Sequence, residues 1–113
     1  MANSFVNKKA DLTSNSATTL YTVPSFSTAV IKSILVSEDS GNADTITVTI
    51  TDTSDNVFSL FKTKSISANA TTELLSAPLI AQESEVKKVT AATANRLHVV
   101  LSALEIKPRD VTS

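Results

Sequence analysis

Residues Thr45–Thr51, Thr-Ile-Thr-Val-Thr-Ile-Thr, alternate polar and apolar side chains without a break. Successive side chains of an extended chain point to opposite faces, so this alternation predicts a strand with one buried and one wet face. Other strand-like runs lie near residues 18–23, 28–37, 57–63, 71–76, 85–91 and 96–106, separated by turn chemistry. Pro24 closes the first of them, because proline lacks an N–H and fits best at a strand end. The polar loop Ser37–Asp44, which holds the only glycine, and the shorter turn Asp52–Asn56 frame the alternating strand as a hairpin element. Seven or eight short strands at this spacing predict an all-β fold, an antiparallel β-sandwich of jelly-roll type.

Two segments compete with that reading. Residues 70–82 contain helix formers, but Pro78 interrupts them and β-branched residues begin them, which leaves room for a single helical turn at most. Residues 83–90 read better as a strand, with Val86 and Lys88 on one face and Lys87 and Val89 on the other. A faint repeat relates Asn15–Leu20, ending at Pro24, to Asn69–Leu74, ending at Pro78. Two related halves would explain it, and so would chance in a chain this rich in alanine and threonine.

Two strands are apolar on both faces. In the last one, Leu97, Val99 and Leu101 share one face and Val100, Leu104 and Ile106 the other; Ala29–Val36 has the same character. An antiparallel strand with a wet face does not look like this. Either a second subunit covers the outer surface there, or a crossing loop or bulge does; the subunit is favoured in so short a chain. Val30, Ile34, Val36, Val100, Leu104 and Ile106 are therefore the expected interface residues. The polar, weakly patterned segments 1–11 and 107–113 are expected as an N-terminal arm and a C-terminal tail that order on a neighbour, flanking a sandwich domain at 12–106.

Composition removes most chemistry. At 113 residues the chain suffices for one domain with its own core, and without cysteine it offers no thiol nucleophile, redox pair or zinc ribbon. Serine and threonine occupy 32 of the 113 positions, which suits strands with hydroxyl-coated outer faces. Ten basic residues against eleven acidic ones, interspersed, give a net charge of -1 and no basic excess for nucleic acid. No apolar run is long enough to span a bilayer, and no hydrophobic stretch follows Lys8-Lys9 as in a signal peptide. No nucleic-acid or membrane partner is expected, and the chain is expected to stay in the cytoplasm where it is made.

The remaining candidates are weak. His98 is the only histidine, flanked by Leu97 and Val99, with no local nucleophile or carboxylate to make it a general base. A histidine at a sheet surface or subunit contact is the simpler expectation. Glu38, Asp39 and Asp44, or Asp52 and Asp55, supply oxygen ligands for calcium, but neither stretch has the spacing of a calcium loop, and turn capping accounts for them. Lys8-Lys9 and Lys87-Lys88 are expected on solvated strand edges, where lysine discourages strand addition. No cofactor and no enzyme activity are expected.

In order along the chain, Thr19-Leu20-Tyr21-Thr22-Val23-Pro24, Ala29–Val36, the Thr45–Thr51 strand, Ser65–Leu74 and Leu97–Ile106 resemble small virion structural proteins of tailed bacteriophages, especially marine and cyanobacterial ones. The resemblance covers residues 12–106 and is a pattern of strands and turns with no catalytic motif. It implies a β-sandwich that sits in the virion, binds the major capsid protein or other virion proteins, and forms homo-oligomers. A head decoration or cement role is favoured by small size, near-neutral charge and the absence of a shaft-like repeat. The alternative is a tail, collar or fibre component, or a host-glycan-binding module, for which Tyr21 and four phenylalanines are a thin supply of stacking rings.

Overall fold

The computed structural model describes residues 2–107, and every regular element among them is a strand. Nine strands follow in order: β1 (Ala2–Asp11), β2 (Thr18–Thr22), β3 (Thr28–Glu38), β4 (Asp44–Thr51), β5 (Val57–Ile66), β6 (Thr71–Glu73), β7 (Leu79–Ala81), β8 (Val86–Ala91) and β9 (Leu97–Lys107). One sheet, here sheet I, has the order β1-β9-β3-β6 with β7 also on β3; sheet II has the order β2-β8-β4-β5. All pairings are antiparallel. β6 and β7 take one strand position between them, so the layout is the eight-position jelly roll, in which the chain passes back and forth between two packed sheets.

The expected all-β sandwich is therefore the fold, with two additions. Residues 2–11, expected as an arm, form β1, which pairs with β9 from Ala2↔Lys107 to Asp11↔His98. The pairing is held by the backbone, which needs no apolar pattern, while Val6 and Ala10 pack against the core. β7 replaces the helical turn considered for residues 70–82: Pro78 stops anything helical, and Leu79–Ala81 extends along Ala29–Ile31. Residues 108–113 of the expected tail lie outside the described residues. β2 and β6, which carry the two copies of the faint repeat, are both edge strands but at opposite sides of the sandwich, since β2 lies by β1 and β6 ends the other side of sheet I.

The core lies between the sheets and is aliphatic. Ala29, Ile31, Ile34 and Val36 of β3 and Leu97, Val99 and Leu101 of β9 meet Ile46 and Val48 of β4 and Val89 and Ala91 of β8. Leu12, Leu20, Tyr21 and Val23 close one side. The alternation that defines Thr45–Thr51 places Ile46 and Val48 inward and Thr45, Thr47 and Thr49 outward, as period two requires.

Candidate interaction surface

β3 changes facing partway along. Ile31 pairs with Ala103 and Ser33 with Ser102, so Lys32 and Ser33 together oppose one residue of β9. This is a β-bulge, and the extra residue reverses the in-out parity of everything beyond it. Before the bulge Ala29 and Ile31 face the core and Val30 faces out; after it Ile34, Val36 and Glu38 face the core and Leu35 faces out. Ile34 and Val36 are thus core residues with no accessible surface, and their assignment to an interface is corrected. Val30, Val100, Leu104 and Ile106 do lie on the outer face of sheet I, each half-buried.

Register shows what they lie beside. Phe5 pairs with Leu104, Leu104 with Val30, and Val30 with Ile80, which sets one apolar row across four strands. Its two ends are the most open: Phe5 is 80% exposed and Ile80 54%. A second row, Lys9–Val100–Leu35–Glu73, has an apolar middle with opposite charges at its ends. Between the two lies the polar row Asn7–Ser102–Ser33, beside Lys32. A shallow groove runs between Phe5, Asn7, Lys32 and Ser102. Cross-strand neighbours on one face stand within side-chain contact of each other, so these rows form continuous surface rather than scattered residues.

Neither Phe5 nor Ile80 was among the expected interface residues, because each lies in a segment not expected to be a strand. The signal for β1 was the inward period Val6, Ala10, Leu12, diluted by Lys8. For β7 there was only a three-residue stretch, too short for any period.

At the end of the same face His98 stands between two carboxylates. Its Nε2 is 3.1 Å from Asp11 Oδ1 and its Nδ1 is 3.5 Å from Asp39 Oδ2. The topology supplies carboxylate partners that local sequence did not show, since Asp11 arrives on β1. All three side chains are widely open to water, so the ion pairs are weak. His98 is a sheet-surface histidine.

The other acidic residues organise loops. Glu38 is buried, and its carboxylate accepts the N–H groups of Ser40 (2.7 Å), Gly41 (3.1 Å) and Asn69 (2.9 Å) and the Ser40 hydroxyl. Desolvation alone would push its pKa up; the hydrogen bonds outweigh it and lower the carboxyl from 4.5 to about 2. Asp44 accepts the Thr93 N–H, and Asp52 accepts the N–H groups of Ser54 and Asn56. Glu73 accepts the N–H groups of Ile34 and Leu75 and the Ser33 hydroxyl, filling the gap in the β3 edge between β6 and β7. No group of three or more metal-ligating side chains among the described residues is placed to hold an ion.

Lys87 departs furthest from expectation. It was expected on a solvated edge, but β8 is an inner strand of sheet II, between β2 and β4, and Lys87 faces the core with no accessible surface. Its Nζ finds no hydrogen-bond partner. Burial lowers its pKa from 10.5 to about 8, against a smaller opposing pull from Glu85. Beside it in the ladder is Tyr21, whose hydroxyl donates to Glu105 Oε2 at 2.6 Å. Burial, with that carboxylate, holds the phenol proton far above its ordinary range. Lys8 and Lys9, by contrast, are exposed on the edge strand β1, as expected.

The chain matches no family model, no curated protein and no solved structure.

Proposed function

We propose that this protein is a structural subunit of a tailed-phage particle, a head decoration protein that binds the capsid shell through the outer face of sheet I and carries out no reaction. The observation that carries the reading is the exposed row Phe5–Leu104–Val30–Ile80. Jelly rolls serve both in viral shells and in sugar-binding proteins, so the fold does not choose between them and the surface must. A sugar site would want rings convergent with polar groups. Here Tyr21 is buried, while the open rings Phe5, Phe26 and Phe58 lie on three different strands or loops. The resemblance of residues 12–106 to phage particle proteins supplies the setting, and the major capsid protein is the proposed partner.

Binding of this kind draws on apolar area removed from water, at about 25 cal/mol per Å². A modest patch then suffices, because many symmetric copies on one lattice act together. The test is to add purified protein to undecorated capsids and count bound copies. A fixed stoichiometry, lost in Phe5→Asp, is expected. Absence of binding, binding that Phe5→Asp leaves intact, or label confined to the tail vertex of intact particles would overturn the placement. A tail or fibre role is the outcome the last result would favour.

A further inference from the structure

We propose that the end of the sandwich around Phe26, apart from the outer face of sheet I, docks a polypeptide segment that presents an apolar side chain between lysines or arginines.

A bulky residue stands there in a conformation that does not suit it. Among the described residues, six other than glycine have positive φ: Phe26, Asp55, Thr63, Asn69, Ser84 and Asn95. Asparagine and aspartate enter the left-handed region readily, and serine is small. Thr63 enters it at a bulge of β5, where its N–H donates to Thr47 Oγ1 at 3.0 Å. Phe26, at φ 62°, has no such account. Its ring is absent from the core and 62% exposed, in the loop between β2 and β3. Asparagine or glycine would make the same turn with less strain. A strained residue whose side chain serves neither the core nor the turn points to a contact outside the molecule.

The ring's mount is fixed before anything binds. The Phe26 N–H donates to Glu83 Oε2 at 2.8 Å. The Val23 N–H donates to the Glu85 carbonyl and the Ser84 N–H to the Val23 carbonyl, both at 3.0 Å, so the two loops are zipped together. Such preorganisation lowers the ordering cost of binding.

Charge selects the occupant. Thr22 pairs with Val86, Val86 with Thr51 and Thr51 with Val57, which brings the turn at 52–56 to the same end as the loops at 23–27 and 82–85. These three segments hold Asp52, Asp55, Glu83 and Glu85 and no basic residue. Glu105 and Lys107, on β9 at this end, offset each other, and Lys87 is turned into the core. Beside the acids stand Val57, 63% exposed, and Phe58, 53% exposed. Apolar surface rimmed by carboxylates suits a partner that is apolar and basic, and it repels an anionic lipid surface. The open face of the Phe26 ring also attracts a cation.

The experiment is a fluorescence-anisotropy titration of the full chain with two labelled synthetic peptides, one with leucines between lysines and one with leucines between glutamates. The lysine peptide is expected to bind about tenfold more tightly than the glutamate peptide, less so as salt is raised. Phe26→Asn suits the left-handed turn and keeps the N–H bonded to Glu83, so its urea midpoint should match or exceed the parent's. Its affinity for the lysine peptide should nevertheless fall about tenfold. Asp55→Asn also keeps its turn and should weaken binding several-fold by removing one charge. Phe5→Ser, on sheet I, should leave it unchanged.

Equal binding of the two peptides overturns the proposal, as does a Phe26→Asn chain that binds like the parent. A lower urea midpoint for Phe26→Asn would make the ring part of the fold, and an equal loss in Phe5→Ser would move the contact to sheet I; either result overturns it. Binding of phosphatidylcholine vesicles but of neither peptide, lost in Phe26→Asn, would assign this end to a membrane instead. The count of copies bound to capsids is independent of all these results, so the capsid-binding reading stands or falls separately.

Discussion

The outer faces of the two sheets have the same backbone and opposite characters. Sheet II shows water mostly hydroxyls and lysine, with Thr45, Thr47, Thr49 and Thr51 on β4 and Lys88 and Thr90 beside them on β8; its apolar side chains gather at one end, where Val86 and the open Val57 flank Thr51. Sheet I shows Phe5, Leu104, Val30 and Ile80 in one row and Val100 and Leu35 in another. Threonine keeps the β-branched shape that strands favour while its hydroxyl stays compatible with solvent. Sheet II is what this chain builds when a face is to stay wet. The aliphatic side chains in the same positions on sheet I then need a cover, since continuous apolar surface on a small protein marks a contact.

The sharpest way to break that comparison is on β3, where one strand contributes to both the core and the outer face. Ile34→Ala should lower stability by about 3 kcal/mol, from lost burial and the cavity left behind. Val30→Ala, four residues away, should lower it by less than about 1 kcal/mol and act on association instead. Urea unfolding at a concentration where the chain is monomeric separates the two. Equal losses would mean that the bulge does not reverse the strand.

The inner faces also differ, because sheet II carries Lys87 inside. Lys87→Met should raise stability by about 1–3 kcal/mol near neutral pH, by removing an ammonium buried without a partner. The sign with pH follows from a folded-state pKa of about 8 against 10.5. Between those values the unfolded chain binds more protons, so the parent gains stability as the pH rises. The advantage of Lys87→Met should therefore shrink from pH 8 towards 10.5, as read from urea midpoints of both proteins. A constant gap would place the ammonium in water.

Comparing the outer faces directly, Phe5→Ser should weaken binding to undecorated capsids about tenfold, or roughly 1.4 kcal/mol. Thr49→Ser on sheet II should leave it unchanged, with stability within about 0.5 kcal/mol of the parent. Co-sedimentation of the two variants with undecorated capsids decides whether only one face is sticky.

The smallest effect is at the loop beside His98. Glu38 is a better acceptor when folded, so its contribution is complete above 4.5 and is lost as the pH falls towards about 2. Glu38→Gln should be less stable than the parent at neutral pH and should show a flatter acid-unfolding profile in that window. A parallel profile would mean that the loop does not depend on the carboxylate.

Much of this was legible in the chain, and the failures share a cause. The β4 strand could be read directly because its period is unbroken from Thr45 to Thr51. The outward set of β9 could be read too, as Val100, Leu104 and Ile106 hold one parity to the end. β3 could not: Val30, Ile34 and Val36 share a parity in number, and only pairing with β9 reveals that Lys32 is an extra residue. Lys87 was grouped with Val89 on one face, which holds, but its burial was missed, because a strand's place within its sheet is a long-range fact. Phe5 and Ile80 escaped for the same reason, since neighbours on β9 and β3 define them and nothing adjacent in the chain does.

The doubled outward step at Lys32-Ser33 also says what natural variation should look like. Removing a single residue there would turn Ile34 and Val36 out into solvent and bring Leu35 inside, like several substitutions made at once. Between Ile31 and Ile34 the number of residues should therefore be held more strictly than their identity. A related chain one residue shorter at this place would wear its greasy side on the opposite half of the strand.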